Sequence, residues 1–132
     1  MSCTAIGEPV AGPSLVIWRG AKGERRWRAQ LGTARYKLRD NGVRVRLVIS
    51  DSTGLNAEIV ATLDSANPDE ILIDSTPNDD YFTTYFAPAL FDSLPLGSYL
   101  YAIWAYDADD EPWPLTLPAT LTISESIGPP PI

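Results

Sequence analysis

Carboxylates are the main side chains in this sequence with catalytic or metal-binding chemistry. There is no histidine, which removes imidazole acid–base catalysis, the usual nucleophilic triads and nearly all catalytic zinc sites together. The single cysteine, Cys3, excludes an intrachain disulfide and has no histidine to activate it, so it reads as incidental. The acids gather in two places: Asp79 and Asp80 beside Asn78, and Asp107, Asp109, Asp110 and Glu111. Calcium takes roughly six to eight oxygens, so these loops would make a hard-cation site if they met. The run from Asp107 to Asp110 lacks the turn glycine and terminal glutamate of an EF-hand loop, and solvated hairpin tips have the same composition. A glycosidase would need two acids on a cleft with an aromatic platform. Trp18, Trp27, Trp104 and Trp113 are available for stacking, but Trp27 and Trp104 read more simply as core. The expectation is no catalytic residue, no metal and no cofactor. Trp18 and Trp113, with Asp107, Asp109 and Asp110, are the candidate ligand or cation contacts.

The cations are more sharply organised. All ten Lys and Arg lie between Arg19 and Arg46, and the first 46 residues hold only three acids, a net +7. The remaining 86 residues carry fourteen acids and no base. Such polarity suits head-to-tail packing between copies or docking on an oppositely charged neighbour. The plain alternative is a fold that mixes the two segments on one surface and cancels the asymmetry. Lys22 between Gly20 and Gly23 has neither the glycine spacing nor the Lys-Ser/Thr pair of a phosphate loop. A nucleic-acid reading rests on the basic segment alone, with Trp18, Trp27 or Tyr36 as stacking groups, and the acidic remainder opposes it.

The elements that must position these groups read as strands. Leu94 to Asp107, LPLGSYLYAIWAYD, follows a Pro-Gly turn and has no charge before Asp107. Extended, it puts Tyr99, Tyr101, Ile103 and Ala105 on one side and Leu100, Ala102, Trp104 and Tyr106 on the other. Both sides are apolar, as in a central strand whose second face is covered or turned toward another chain. Arg25 to Leu31 alternates Trp27, Ala29 and Leu31 against Arg26, Arg28 and Gln30. Asn41-Gly42 fits the centre of a type I′ turn and predicts a hairpin with Arg39 opposite Arg44, Leu38 opposite Val45 and Lys37 opposite Arg46. A wider turn with staggered arginines is the competing arrangement. Further strands are expected at Ser14 to Arg19, Ala57 to Leu63, Glu70 to Asp74, Tyr81 to Phe86 and Trp113 to Ile123, the last at an edge because of Pro114 and Pro118. A helical turn fits Ala87 to Leu94.

Seven or eight strand candidates, frequent turns and no convincing helix point to an all-β fold, an antiparallel immunoglobulin-like β-sandwich, with a barrel as the alternative. A chain of 132 residues makes one domain and buries roughly two-thirds of its unfolded surface without a metal or disulfide. Residues 1–13, with Gly7, Pro9, Gly12 and Pro13, read as an N-terminal arm, 14–124 as the sandwich and 125–132 as a proline-rich tail. The N-terminus lacks a basic segment and an apolar run, and no later run approaches the length of a membrane span, so a soluble protein made in the cytosol is expected.

Two stretches carry a family resemblance. RDNGVRVRLVISDSTG is a polar turn leading into a β run, and SLPLGSYLYAIWAYDADDEPWPLTLPATLTI is a leucine-proline-glycine-tyrosine opening to a hydrophobic strand. Between Leu38 and Ile123 the order of features resembles the immunoglobulin-like modules of bacteriophage tail and baseplate proteins, particularly the N-terminal domain of phage baseplate upper proteins. The resemblance implies a non-enzymatic structural subunit of a virion, with no catalytic residues to transfer. Without a long C-terminal helical or fibre extension, an adaptor or capsid-decoration subunit is expected. The expected partners are copies of itself or other virion proteins, met through Arg26, Arg28, Lys37, Arg39, Arg44, Arg46, Tyr99 and Tyr101. A ligand- or carbohydrate-binding sandwich is the alternative.

Overall fold

The computed structural model describes residues 9–31, 34–51 and 57–125, and the backbone of 2–5. Among the described residues the fold is all-β, with a single helical turn, α1 (Pro88–Phe91). The strands in chain order are β1 (Ser2–Ala5), β2 (Val10–Ala11), β3 (Leu15–Arg19), β4 (Gly23–Leu31), β5 (Ala34–Arg35), β6 (Arg44–Ser50) and β7 (Ile59–Asp64). They continue as β8 (Ile71–Ile73), β9 (Tyr81–Phe86), β10 (Gly97–Tyr106), β11 (Pro112–Pro114), β12 (Thr116–Leu117) and β13 (Ala119–Glu125). The larger sheet runs β3-β13-β10-β6-β7, with β11 added to β10. The second runs β1-β4-β9-β8, with β5 on β4, and β12 pairs with β2 apart from both.

The uncharged run expected to be central forms β10, which lies between β13 and β6 in the middle of the larger sheet. Its Tyr99, Tyr101, Ile103 and Ala105 are buried, together with Val45, Leu47 and Ile49 of β6 and Leu121 and Ile123 of β13. From the second sheet, Trp27, Ala29, Phe82 and Phe86 join the same core. The Trp27 ring bridges the sheets: it stacks on Phe82 with centroids 6.3 Å apart and meets Tyr101, across the core, at 6.2 Å. Two polar atoms of these buried rings find partners. Trp27 Nε1 donates to Thr84 Oγ1 at 3.0 Å, and Tyr101 Oη donates to the Pro13 carbonyl at 2.5 Å. Burial of a donor is tolerated when such a partner is present.

Five expectations are corrected. The sheets are mixed rather than antiparallel throughout, because β1 pairs with β4, β12 with β2 and β13 with β3 in parallel. Within the stretch expected as an N-terminal arm, Ser2–Ala5 and Val10–Ala11 are strands instead: β1 adds to the second sheet and β2 pairs with β12. The proline-bearing segment after Trp113 breaks into β11, β12 and β13, with β3 rather than β13 at the sheet edge. Pro114 and Pro118 fall at or between short strands, which leaves β13 free of proline and able to pair on both sides.

The fourth correction concerns Asn41-Gly42, which makes no type I′ hairpin. Gly42 takes a φ of 65° but Asn41 does not share it, and β6 pairs with β10 and β7. The backbone N–H groups of Leu38, Arg39 and Asp40 are instead taken by the Asp79 carbonyl and carboxylate, at 3.0, 3.0 and 3.2 Å. A distant carboxylate thus outcompetes the local ladder. The fifth correction is that Tyr99 and Tyr101, expected at a subunit contact, are 9% and 1% exposed and belong to the core. The proline-rich tail beyond Glu125 lies outside the described residues.

Candidate functional site

Strand alternation fixes what the larger sheet shows to solvent. With Tyr99 to Ala105 turned inward, Leu100, Ala102, Trp104 and Tyr106 face out, each only partly buried. The register sets Ala102 beside Val48, which neighbours Thr62, and sets Leu100 between Ser50 and Thr120. Further across, Ser98 meets Thr122, which meets Val16, and Ser124 meets Trp18. Val16 and Trp18 are each 51% exposed on the edge strand β3. Trp104 and Tyr106 sit beside Arg46 and Arg44, so the uncharged part of the face runs across five strands from Val16 and Trp18 through Thr122, Leu100 and Ala102 to Val48 and Thr62.

Charge begins at one end of that face and is paired there. Arg46 Nη2 lies 2.8 Å from Asp64 Oδ2 on the adjoining strand, and Arg44 Nη2 lies 2.6 Å from Asp110 Oδ1. Both guanidinium groups also sit over the Tyr106 ring, at 5.3 Å for Arg46 and 5.6 Å for Arg44. Burial opposes ionisation of Asp64, but the Ala66 N–H, the Arg46 hydrogen bond and the Arg46 and Arg44 charges outweigh it, leaving the carboxyl below its usual range. The hydrogen bond to Asp64 leads the causes that raise Arg46.

The other predicted cations lie on the second sheet and the segment after it, where each also finds an acid or carbonyl. Arg26 pairs with Asp74 at 2.7 Å and lies over Tyr81 at 4.2 Å. Arg28 and Arg35 converge on Asp80, at 3.1 and 3.8 Å, and Lys37 approaches Asp79 at 3.9 Å. Arg39 donates to the carbonyls of Asp74 and Ile73. Asp79 and Asp80 are wholly buried. Six of the ten cations, Arg26, Arg28, Arg35, Lys37, Arg44 and Arg46, thus pair with acids from the later part of the chain. This pairing mixes the two charge segments on one surface and reduces the asymmetry seen along the sequence.

The acidic loop is real and is organised by Asp107. Its Oδ1 accepts from the N–H groups of Asp109 and Glu111, and its Oδ2 accepts from Trp113 Nε1, all at 2.9 Å. The indole bond leads these causes in holding the Asp107 carboxyl below its usual range. Asp110 takes a φ of 60° and pairs with Arg44. Among the described residues no three or more His, Cys, Asp or Glu side chains converge on a possible metal position. Asp79 and Asp80 serve as internal counterions, so the two acidic loops do not combine. Trp18 and Trp113 are separated as well: Trp18 is on the outer face, whereas Trp113 is cross-strand from Ala105 and shares its inward side.

Sequence reading missed the outward placement of Trp104, which follows from alternation with the buried Tyr101 and Ile103. It also missed Val43 and Leu31, which meet Tyr36, Trp113 and Asp107 in a cleft of about 240 Å³. No periodicity joins these residues, since they come from four separate parts of the chain. No protein-family model matches the chain, and a search of curated proteins finds no match.

Proposed function

We propose that this chain is a non-enzymatic structural subunit with an immunoglobulin-like sandwich architecture, packing against copies of itself within an assembled particle of the phage tail or baseplate kind. The observation that carries the reading is the uncharged part of the outer face of the larger sheet, from Trp18 and Val16 through Leu100 and Ala102 to Val48, with Trp104 at its border beside Arg46. Apolar groups gathered on one flat face, with charges paired at its end, suit burial against a like surface. The family resemblance of the two quoted stretches adds the particle setting. Because the cations are paired internally, the association is driven by apolar burial and not by charge matching.

Native mass spectrometry and light scattering at low and high salt test this. A closed oligomer that persists at high salt is the expected result, since screening weakens ion pairs but not apolar contacts. A monomer at high protein concentration overturns self-packing, and an oligomer dissolved by salt overturns the apolar mechanism.

A further inference from the structure

The cleft has a composition unlike the flat face. Its walls are Leu31 from the second sheet, Ala105 from the larger sheet, Val43 from the loop that leads into β6, and the rings of Tyr36 and Trp113, with Asp107 as its one charged group. Leu31 and Trp113 remain 54% and 41% exposed although they line a recess. At about 240 Å³ the recess is smaller than the roughly 300–1,000 Å³ of drug-sized ligand sites, so it suits a side chain or small ion.

Two features make it selective. The Asp107 carboxylate is clamped by the Asp109 and Glu111 N–H groups on one oxygen and by the indole on the other. A carboxylate has about four acceptor positions, so Oδ2 keeps capacity for one more donor. The same bond fixes the plane of Trp113, which presents an aromatic wall beside an anion. Asp109 and Glu111 add negative charge on the same loop, and Arg44 is engaged there by Asp110.

We infer that this cleft binds an alkylammonium group, such as the end of a lysine side chain or a small quaternary amine, with its alkyl part against Leu31, Val43 and Ala105 and its charge between Asp107 and the rings of Trp113 and Tyr36. Aromatic faces attract cations, and the adjacent carboxylate supplies the counterion. A neutral sugar would find a single polar side chain among apolar walls, and an anion would be repelled. The site is independent of the outer face, and a monomer retains it.

The test is a titration of the ¹⁵N-labelled protein, followed at the Trp113 indole N–H, with n-butylammonium as the lysine mimic and choline as the quaternary amine. n-Pentanol and butyrate serve as neutral and anionic controls. Saturable shifts with a Kd on the order of 10 mM are expected for the cations, the range that a cation–π contact and one exposed ion pair supply. The arm that binds more tightly identifies the source. Leu31→Lys, at an exposed position, places a competing ammonium at the cleft and is expected to weaken binding at least about tenfold; Asp107→Asn is expected to do the same. No saturable shift with either cation, an equal response to n-pentanol or butyrate, or unchanged affinity in folded Leu31→Lys protein would overturn the assignment.

Discussion

The Asp80 carboxylate, wholly buried, lies 3.1 Å from Arg28 Nε on the neighbouring strand β4, and Arg35 approaches the same oxygen at 3.8 Å. The Asp80 carbonyl also accepts the Ala29 N–H at 2.7 Å, extending the β4-β9 pairing beyond its last paired residues. Asp80 thus ties charge and backbone together at one point. Removing a single partner of a buried pair leaves the other charge uncompensated. Asp80→Ala is expected to lower stability by about 3 kcal/mol, at the low end for such pairs because Arg28 and Arg35 reach solvent. A urea midpoint within error of the parent would show that the pair contributes nothing net.

Thr84 and Trp27 make a sharper test of core polarity. Thr84→Val keeps the shape of the side chain but leaves the buried indole N–H without its acceptor, an expected loss of about 1–3 kcal/mol. In a Trp27→Phe background the same change should cost much less, because the donor is gone. A double-mutant cycle measures the difference, and additive losses would mean that the bond is not what stabilises Thr84.

On the outer face, Leu100→Glu puts a charge at the centre of an uncharged surface without touching the core. Leu100 is partly buried, so a loss of about 1 kcal/mol, the ordinary cost of a point substitution, is expected in the folded monomer, while the oligomer dissociates. An unchanged native mass would place the contact elsewhere.

Acid stability depends on Asp64 and Asp107, whose carboxyls ionise more readily in the folded chain. The unfolded state takes up protons first as pH falls, so this contribution is present above about pH 4, the unfolded carboxylate range, and is lost as pH drops through the lower folded values. The Asp64→Asn protein should show a flatter dependence of its urea midpoint between about pH 5 and pH 2. Identical slopes for variant and parent would exclude Asp64 as a source.

At the alkaline end, burial pushes the Tyr101 hydroxyl up to about 12. The unfolded chain loses this proton near pH 10, so stability is complete below about 10 and falls as pH rises toward the folded value. Tyr101→Phe removes that dependence, and a thermal midpoint measured from pH 9 to pH 11.5 should fall less steeply with pH in the variant.

Much of the local structure was legible in the residue order. The alternation of Arg25 to Leu31, the doubly apolar β10, the acidic loop after Tyr106 and the turn at Pro88–Phe91 all depend on neighbours close in the chain. Strand period and turn chemistry report such features directly. What only the tertiary structure decided was pairing and facing over long distances. Asp79, about forty residues away in sequence, took the Leu38 and Asp40 N–H groups that an Asn-Gly hairpin would have used. The sheets buried Tyr101 and left Trp104 on the outside, although both faces of their strand are apolar. Leu31, Tyr36, Val43 and Trp113, far apart in the chain, line a common cleft only once it is folded. Period-two patterning assigns residues to opposite faces of one strand, but which face is covered depends on the strands and side chains that the rest of the chain brings to it.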